Sequence, residues 1–379
     1  MTPPLALYLH WPYCISKCPY CDFNSHKAEA VDGAAWQRAY LKRLADLAEE
    51  TEGRRIETVF FGGGTPSLMD AATVGAILNQ IHRLWPVSPA LEVTLEANPT
   101  TAEAQRFTDF AAAGINRLSI GVQSFNDTAL RFLGRAHSAQ EAKKTIRLAA
   151  KTFPRYSFDL IYALPGQTED QWQQQMETAL SFEPEHLSVY QLTVEPGTGF
   201  HRAQVAEADE DSGAALYALT QTVLDNAGLP AYEISNHARP GAECRHNLIY
   251  WTGGDYIGIG PGAHGRLTLN GSTFATQEIP NPQNWLKTTL GHKNPEVRRD
   301  LLDPEERAEE RIMMGLRSAA GVDSKPFEAA IGMPLTDFLS EPGLATAKQH
   351  GLITWDGQVL QATAKGRPVL NALLAELIV

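Results

Sequence analysis

Leu5-Ala-Leu-Tyr-Leu-His-Trp11 runs straight into Pro-Tyr-Cys14-Ile-Ser-Lys-Cys18-Pro-Tyr-Cys21. An apolar, strand-like run that hands over to three clustered thiols decides the fold, because it fixes the first strand and what sits at its end. Thiolates are soft ligands that suit zinc and iron–sulfur clusters. A structural zinc wants four donors. This run supplies Cys14, Cys18 and Cys21, and the one other cysteine, Cys244, is far away in sequence. Three thiolates on a cubane cluster leave one iron open to a small molecule. A zinc completed by His10 or His26 is the alternative. A disulfide framework fits neither the odd count within the run nor a reducing compartment.

Outward from this run, short apolar β-branched stretches alternate with helical ones. The strands expected are Leu5–Trp11, Thr58–Phe61, Glu92–Glu96, Arg117–Val122, Ser157–Ala163 and His186–Val194. The helices expected between them are Ala34–Glu50, Ala71–Leu84, Ala102–Ala113, Ser138–Lys151 and Glu169–Leu180, each with apolar residues at helical spacing. Crossovers of this length imply parallel strands. Polar or glycine-rich residues close almost every strand, which suits the C-terminal mouth of a barrel better than a single switch point. The chain has 379 residues, a prior of about two to three domains. The division expected is a β/α barrel over 1–200, an α/β extension over 201–300 and a module over 301–379. The last reads as helices, a hairpin Leu352–Leu360 turning at Asp356-Gly357, and a final helix, like a winged helix.

Hydrophobic residues make up 43% and the formal net charge is −12, which argues against a general nucleic-acid binder. The winged-helix-like end is therefore expected to meet proteins. No apolar run approaches the ~20 residues that span a bilayer. The opening Met1-Thr2-Pro3-Pro4 lacks a basic n-region, so a cytoplasmic location is expected.

The spacing C-x3-C-x2-C after a first strand, with Tyr20 before the last cysteine, resembles the radical S-adenosylmethionine (radical SAM) superfamily. That resemblance implies an open, partial parallel β/α barrel. It also implies a 4Fe–4S cluster on Cys14, Cys18 and Cys21, whose open iron chelates S-adenosylmethionine for reductive cleavage. Gly62-Gly63-Gly64-Thr65-Pro66 is similar to the glycine-rich loop of that superfamily. Within its coproporphyrinogen-oxidase-like branch, matching positions contact S-adenosylmethionine. Here they are Tyr8, Tyr20, Gly63, Gly64, Thr65, Glu96, Gln123, Arg135 and Asp159. They sit in Glu96-Ala-Asn98-Pro99, Gly121-Val-Gln123-Ser124-Phe125, Leu133-Gly-Arg135 and Asp159-Leu-Ile-Tyr-Ala-Leu-Pro165-Gly166. A carboxylate such as Glu96 suits a ribose hydroxyl pair, since it accepts two hydrogen bonds.

The dehydrogenases of that branch carry a further cysteine where this chain has Phe23, and a longer segment before the cluster loop than is expected here. His246-Asn247-Leu248-Ile249-Tyr250-Trp251 reads H-N-x-x-Y-W and resembles the signature of the heme-chaperone branch. The resemblance implies heme as a third cofactor, contacted by His246, Tyr250 and Trp251; imidazole is a good axial ligand for heme iron. The bland reading is a buried histidine with core aromatics. The partners implied are heme and heme-accepting proteins, respiratory membrane enzymes among them. Peripheral membrane contact and a homodimer are further expectations, although no lipidation motif or basic amphipathic helix supports the former. Two function classes stand: a heme chaperone, and an enzyme that oxidatively decarboxylates coproporphyrinogen III. A radical methyltransferase or heme-degrading relative is a third reading.

Overall fold

The computed structural model describes residues 4–27 and 30–378. Six parallel strands run through the first half: β1 (Leu5–Trp11), β2 (Ile56–Gly63), β3 (Val87–Ala97), β4 (Arg117–Gln123), β5 (Arg155–Tyr162) and β6 (His186–Gln191). β7 (Asn236–Ala238) adds antiparallel to β6. β8 (Asp255–Ile259) returns to the free side of β1 and pairs with it in parallel. β9 (His264–Leu269), β10 (Ser272–Glu278) and β11 (Glu296–Leu301) continue antiparallel. The order is β11-β10-β9-β8-β1-β2-β3-β4-β5-β6-β7, and the two end strands do not meet. The barrel is open, as expected.

β1 lies in the middle of this sheet, and Leu5, Ala6, Leu7 and Leu9 are at most 1% exposed. A parallel strand covered on both faces reads as a near-continuous apolar run, which is why this stretch was legible. Helices cover the outside: α1 (Gly33–Glu50), α2 (Ala71–Leu84), α3 (Phe107–Ala113), α4 (Asp127–Phe132), α5 (Ala139–Thr152), α6 (Glu169–Leu180) and α7 (Glu210–Asn226). Ser138 with Glu141 and Thr168 with Gln171 form capping boxes that start α5 and α6.

The expected helix Ala102–Ala113 is broken. A short turn, Thr101–Ala104, precedes α3. The break accompanies Glu103, whose buried carboxylate turns inward to accept from Ser67 and from the Asn98 amide. β5 and β6 end earlier than expected, at Tyr162 and Gln191. Gln123 and Ala163 take positive φ, 68° and 58°, at the ends of β4 and β5. Such conformations cost about 1–3 kcal/mol in non-glycine residues and cluster at functional sites.

β8 was not expected. Its five residues include Gly258, where a Cβ would lie 2.1 Å from the His264 carbonyl oxygen. The strands of 255–301 thus continue the sheet that β1 centres. Trp36 of α1 stacks on Trp285 of α9 (Pro282–Leu290) at 5.4 Å. Arg43 pairs with buried Glu278 at 2.5 Å.

α8 (Arg245–Trp251) follows β7. After β11 come α10 (Pro304–Arg317), β12 (Val322–Asp323), α11 (Ser324–Ile331), α12 (Glu341–Gln349), β13 (Ile353–Trp355), β14 (Val359–Ala362) and α13 (Leu370–Leu377). The three strands pair in the order β12-β14-β13, and this end has its own apolar core. The hairpin exists, but Trp355 pairs with Leu360. The connection is therefore wider than a two-residue Asp-Gly turn. Asp356 Oδ1 closes it by accepting from the backbone of Gln358 and Val359, each at 2.8 Å. Arg311 of α10 donates to the carbonyls of Thr252 and Gly253, which ties the module to the end of α8.

Candidate functional site

The three thiols sit on a lasso at the C-terminal end of β1. Tyr13–Cys14 pairs with His26–Lys27, and His26 N donates to Pro12 O at 2.7 Å, which closes the loop. The loop base is clamped from outside. Phe200 N donates to Pro19 O at 2.8 Å, and a Cβ on Gly199 would stand 3.0 Å from that same oxygen. Asn24 Nδ2 donates to Pro261 O and Pro280 O, both at 2.9 Å, so the loop is also fastened to the β8–β9 and β10–α9 connections.

Behind the loop, Gly63 takes φ 111°, and a Cβ there would meet the His10 ring at 2.6 Å. A Cβ on Gly64 would lie 2.6 Å from the Tyr13 carbonyl oxygen. Glycine is needed at both positions for backbone to approach backbone. Gly63 N donates to Glu96 Oε2 at 3.2 Å.

Cys14, Cys18 and Cys21 line one cavity of about 480 Å³ together with Tyr20, Gly63, Gly64, Thr65, Glu96, Gln123, Arg135 and Asp159. Tyr8 does not line it. Its ring lies below Gly62, stacks on Phe60 at 6.3 Å, and its hydroxyl meets His10 Nδ1 at 3.0 Å. The Tyr8 side chain points into the barrel interior, beneath the cavity wall. Sequence reasoning missed several wall residues, among them Glu103, Ser119 and His137. Asn98, Gly121, Gly134 and Ile161 stood within motifs already singled out. Glu103 and Ser119 carry no local signal, because tertiary packing alone brings them to the cavity.

Burial, helped by the Asp159 carboxylate, pushes the Glu96 carboxyl up to about 8. Burial pushes Asp159 up to about 6, against hydrogen bonds from Ser188 and Ser119 and the charges of Arg117 and Arg135. Burial also raises the Cys14 and Cys21 thiols, and iron must displace those protons on binding.

The donor set can be tested for fit. Among the described residues no group of three or more His, Cys, Asp or Glu side chains is gathered to hold a metal ion. His10 cannot complete a zinc site, since its Nδ1 meets Tyr8 and its Nε2 meets Asn24 O at 2.9 Å. His26 Nε2 is bonded to Asn24 Oδ1 at 3.0 Å. A cluster spreads its thiolates over separate irons, so they need not converge on one point as zinc ligands do. For S-adenosylmethionine, two buried polar atoms on the wall lack partners: the Arg135 Nε donor and the Gln123 Oε1 acceptor. Buried polar atoms in native structures are rarely left unpaired. A zwitterion with ribose hydroxyls offers a carboxylate to Arg135, a donor to Gln123 and hydroxyls to Glu96, so the residues fit the group.

His246 lies elsewhere, on the barrel floor. It is 1% exposed. Nδ1 meets Thr58 Oγ1 at 2.8 Å and Nε2 meets the Tyr250 hydroxyl at 2.7 Å. Its ring stacks on Phe60 at 5.0 Å. Burial lowers its pKa to about 3, so it stays neutral. With both nitrogens engaged it offers no lone pair to heme iron in this arrangement. α8 thus holds His246, the first of the three residues for which a heme contact is expected, against the barrel floor. Tyr250 also turns inward, against the Tyr256 ring at 4.5 Å. Trp251 keeps a buried Nε1 without a partner. Cys244 is 1% exposed and sits 3.7 Å from Glu92 Oε1. Glu92 also accepts from Arg155 at 2.7 Å and from His246 N at 3.1 Å.

Comparison with known proteins agrees with this geometry. A family model described as the Radical SAM superfamily matches residues 8–179, and one described as the HemN C-terminal domain matches 302–369. The chain is 39% identical over 384 residues to the mitochondrial radical S-adenosyl methionine domain-containing protein 1 of Bos taurus, covering 98% of this chain and 87% of that one. It is 38% identical over 378 residues to the heme chaperone HemW of Escherichia coli K12, covering 98% and 97%. The structure of E. coli coproporphyrinogen III oxidase, HemN, superposes with a TM-score of 0.84 at 21% identity, over 99% of this chain and 90% of that one. At that identity the match shows a shared fold. The chain belongs to the radical SAM superfamily and, within it, to the HemW family.

Proposed function

We propose that this chain is a radical SAM heme chaperone, which holds a 4Fe–4S cluster, S-adenosylmethionine and heme and passes heme to acceptor proteins. The observation that carries the reading is the HemW relationship at 38% identity over nearly the full length of both chains. Phe23 adds to it, since it occupies the place of the further cysteine expected of a coproporphyrinogen dehydrogenase and is 56% exposed.

Superfamily membership implies the cluster and S-adenosylmethionine. Cys14, Cys18 and Cys21 would hold the first. Glu96, Gln123, Arg135 and Asp159 would hold the second, with Tyr20 and the Gly63–Thr65 loop on the wall. When bound, the two supply one-electron chemistry. The chain's own residues orient the ligand and exclude water. For His246 to reach heme iron, its ring must leave the barrel floor and give up its bond to Thr58 or to Tyr250.

In this reading 1–200 carries the cofactors, 201–300 the H-N-x-x-Y-W segment, and 301–379 a surface for acceptors, respiratory hemoproteins among them. The cytoplasm is the proposed compartment, because three reduced thiols must stay available to iron. Among the described residues no helix is long and apolar enough to cross a membrane.

The test is an anaerobic one. The reconstituted protein is titrated with heme by its Soret band, mixed with an apo-hemoprotein, and in parallel given S-adenosylmethionine, reductant and coproporphyrinogen III. Heme binding and transfer without porphyrinogen turnover is expected. Protoporphyrinogen made at catalytic turnover overturns the chaperone reading.

A further inference from the structure

Each cluster-loop sulfur lies within hydrogen-bond distance of a side-chain donor, and Thr65, Arg135 and Ser25 supply these donors from three segments. Thr65 Oγ1 lies 3.5 Å from Cys14 Sγ. Arg135 Nη1 lies 3.4 Å from Cys18 Sγ. Ser25 Oγ lies 3.8 Å from Cys21 Sγ.

The surroundings fix which way these bonds run. Asn98 Nδ2 donates to Thr65 Oγ1 at 3.1 Å. A hydroxyl that accepts from an amide has its single proton left to give, and Cys14 is where it goes. The Asn98 amide is held in that orientation because its Oδ1 accepts from Arg135 Nη2 at 2.5 Å. Its backbone N donates to buried Glu103 at 2.8 Å. Arg135 therefore reaches Cys18 directly and Cys14 through Asn98 and Thr65. Ser25 is 4% exposed, and a thiolate at Cys21 can only accept from it.

Hydrogen bonds to the sulfurs are among the levers that set an iron–sulfur potential. One electron taken up by an oxidised 4Fe–4S cluster adds a negative charge that spreads onto its thiolates. Donors aimed at those sulfurs stabilise the reduced form more than the oxidised one, and a charged donor such as a guanidinium does so most strongly.

We propose that Thr65, Arg135 and Ser25 form a donor set that raises the reduction potential of a cluster held by Cys14, Cys18 and Cys21, with Asn98 as the positioning residue that aims Thr65. This rests on the cluster assignment made above. It concerns the electron-accepting step and is independent of what the protein does with heme.

The experiment is a redox titration of the reconstituted full-length protein with dithionite and mediators, with iron and sulfide counted in every sample. Thr65→Val keeps the shape of the side chain and deletes the donor. It is expected to make reduction about tenfold less favourable, a fall of ~59 mV in a one-electron midpoint. Thr65→Ser restores the donor and is expected to restore the midpoint. Asn98→Leu, which touches no sulfur, is expected to lower it by less than Thr65→Val, and Ser25→Ala to lower it independently. Thr65→Val with full iron and sulfide and the parent midpoint overturns the proposal. If that variant does not load, parent midpoints in both Asn98→Leu and Ser25→Ala overturn it. A parent chain that takes up no iron overturns the cluster assignment itself, and this proposal with it.

Discussion

His246 Nε2 lies 2.7 Å from the Tyr250 hydroxyl, one turn along the same helix. Residues four apart share a helix face, so the two polar groups of the H-N-x-x-Y-W segment turn inward together. Thr58 holds the other imidazole nitrogen at 2.8 Å. Deleting the ring leaves a hole with two hydroxyls unpaired. His246→Ala is expected to cost about 2–4 kcal/mol, and Tyr250→Phe about 1 kcal/mol, both read by urea unfolding before any heme is added. Parental stability in His246→Ala would show that the imidazole is not packed into the barrel floor.

The four cysteines divide by position. Cys18→Ala removes one of the three proposed cluster ligands and is expected to abolish retention of iron and sulfide after anaerobic reconstitution. Cys244 is buried beside Glu92 on the barrel floor, so Cys244→Ala is expected to load as the parent does. Equal iron in both variants would refute the three-thiolate assignment.

The cavity carboxylates give a pH signature. The folded chain holds the Glu96 proton to about 8, whereas an unfolded glutamate releases it near its model value of 4.5. Between those values the folded state binds more protons, so this group's stability contribution is full at low pH and declines as pH rises toward 8. Glu96→Gln is expected to match the parent near pH 4, to exceed it in stability at pH 8 to 9, and to bind S-adenosylmethionine about tenfold more weakly, ~1.4 kcal/mol. A pH-independent gap in thermal unfolding would be evidence against a raised Glu96 carboxyl. His246 works at the opposite end. Its depressed pKa contributes stability that is complete above 6.5 and lost as pH falls toward about 3.

Glu92 pins the segment that carries His246. Its side chain is 1% exposed and pairs with Arg155 at 2.7 Å. Removing one partner of a buried pair costs about 3–5 kcal/mol, a value expected here at its lower end because Arg155 is 26% exposed. Glu92→Ala is expected to show that loss in urea and to retain its iron once folded, since Glu92 lies outside the cavity wall. Loss of iron with unchanged stability would contradict this division between floor and mouth.

The parallel strands were legible because burial on both faces leaves an apolar, β-branched signature. β8 was not, because five residues in a glycine-rich stretch look like loop until β1 is seen to need a second neighbour. Thr65 and Arg135 stood out through their motifs, but the bonds they make to Cys14 and Cys18 did not. Ser25 gave no sign at all. Its role depends on how the lasso closes, which no spacing rule encodes. His246 was visible as a residue, but its partners Thr58 and Tyr250 were not, since one helical face can look inward or outward until the helix is docked.

The cysteine loop is fastened by Asn24 to backbone 237 and 256 residues further along, and β1 finds its second neighbour only in β8. At about 5–20 residues per second of synthesis, the loop that emerges first waits roughly ten to fifty seconds for the parts that hold it shut. During that wait β1 is an apolar edge open to other chains, and the thiols are unguarded against oxidants. A cluster seated in this loop would therefore be held shut only once the segments at Pro261 and Pro280 have folded against Asn24.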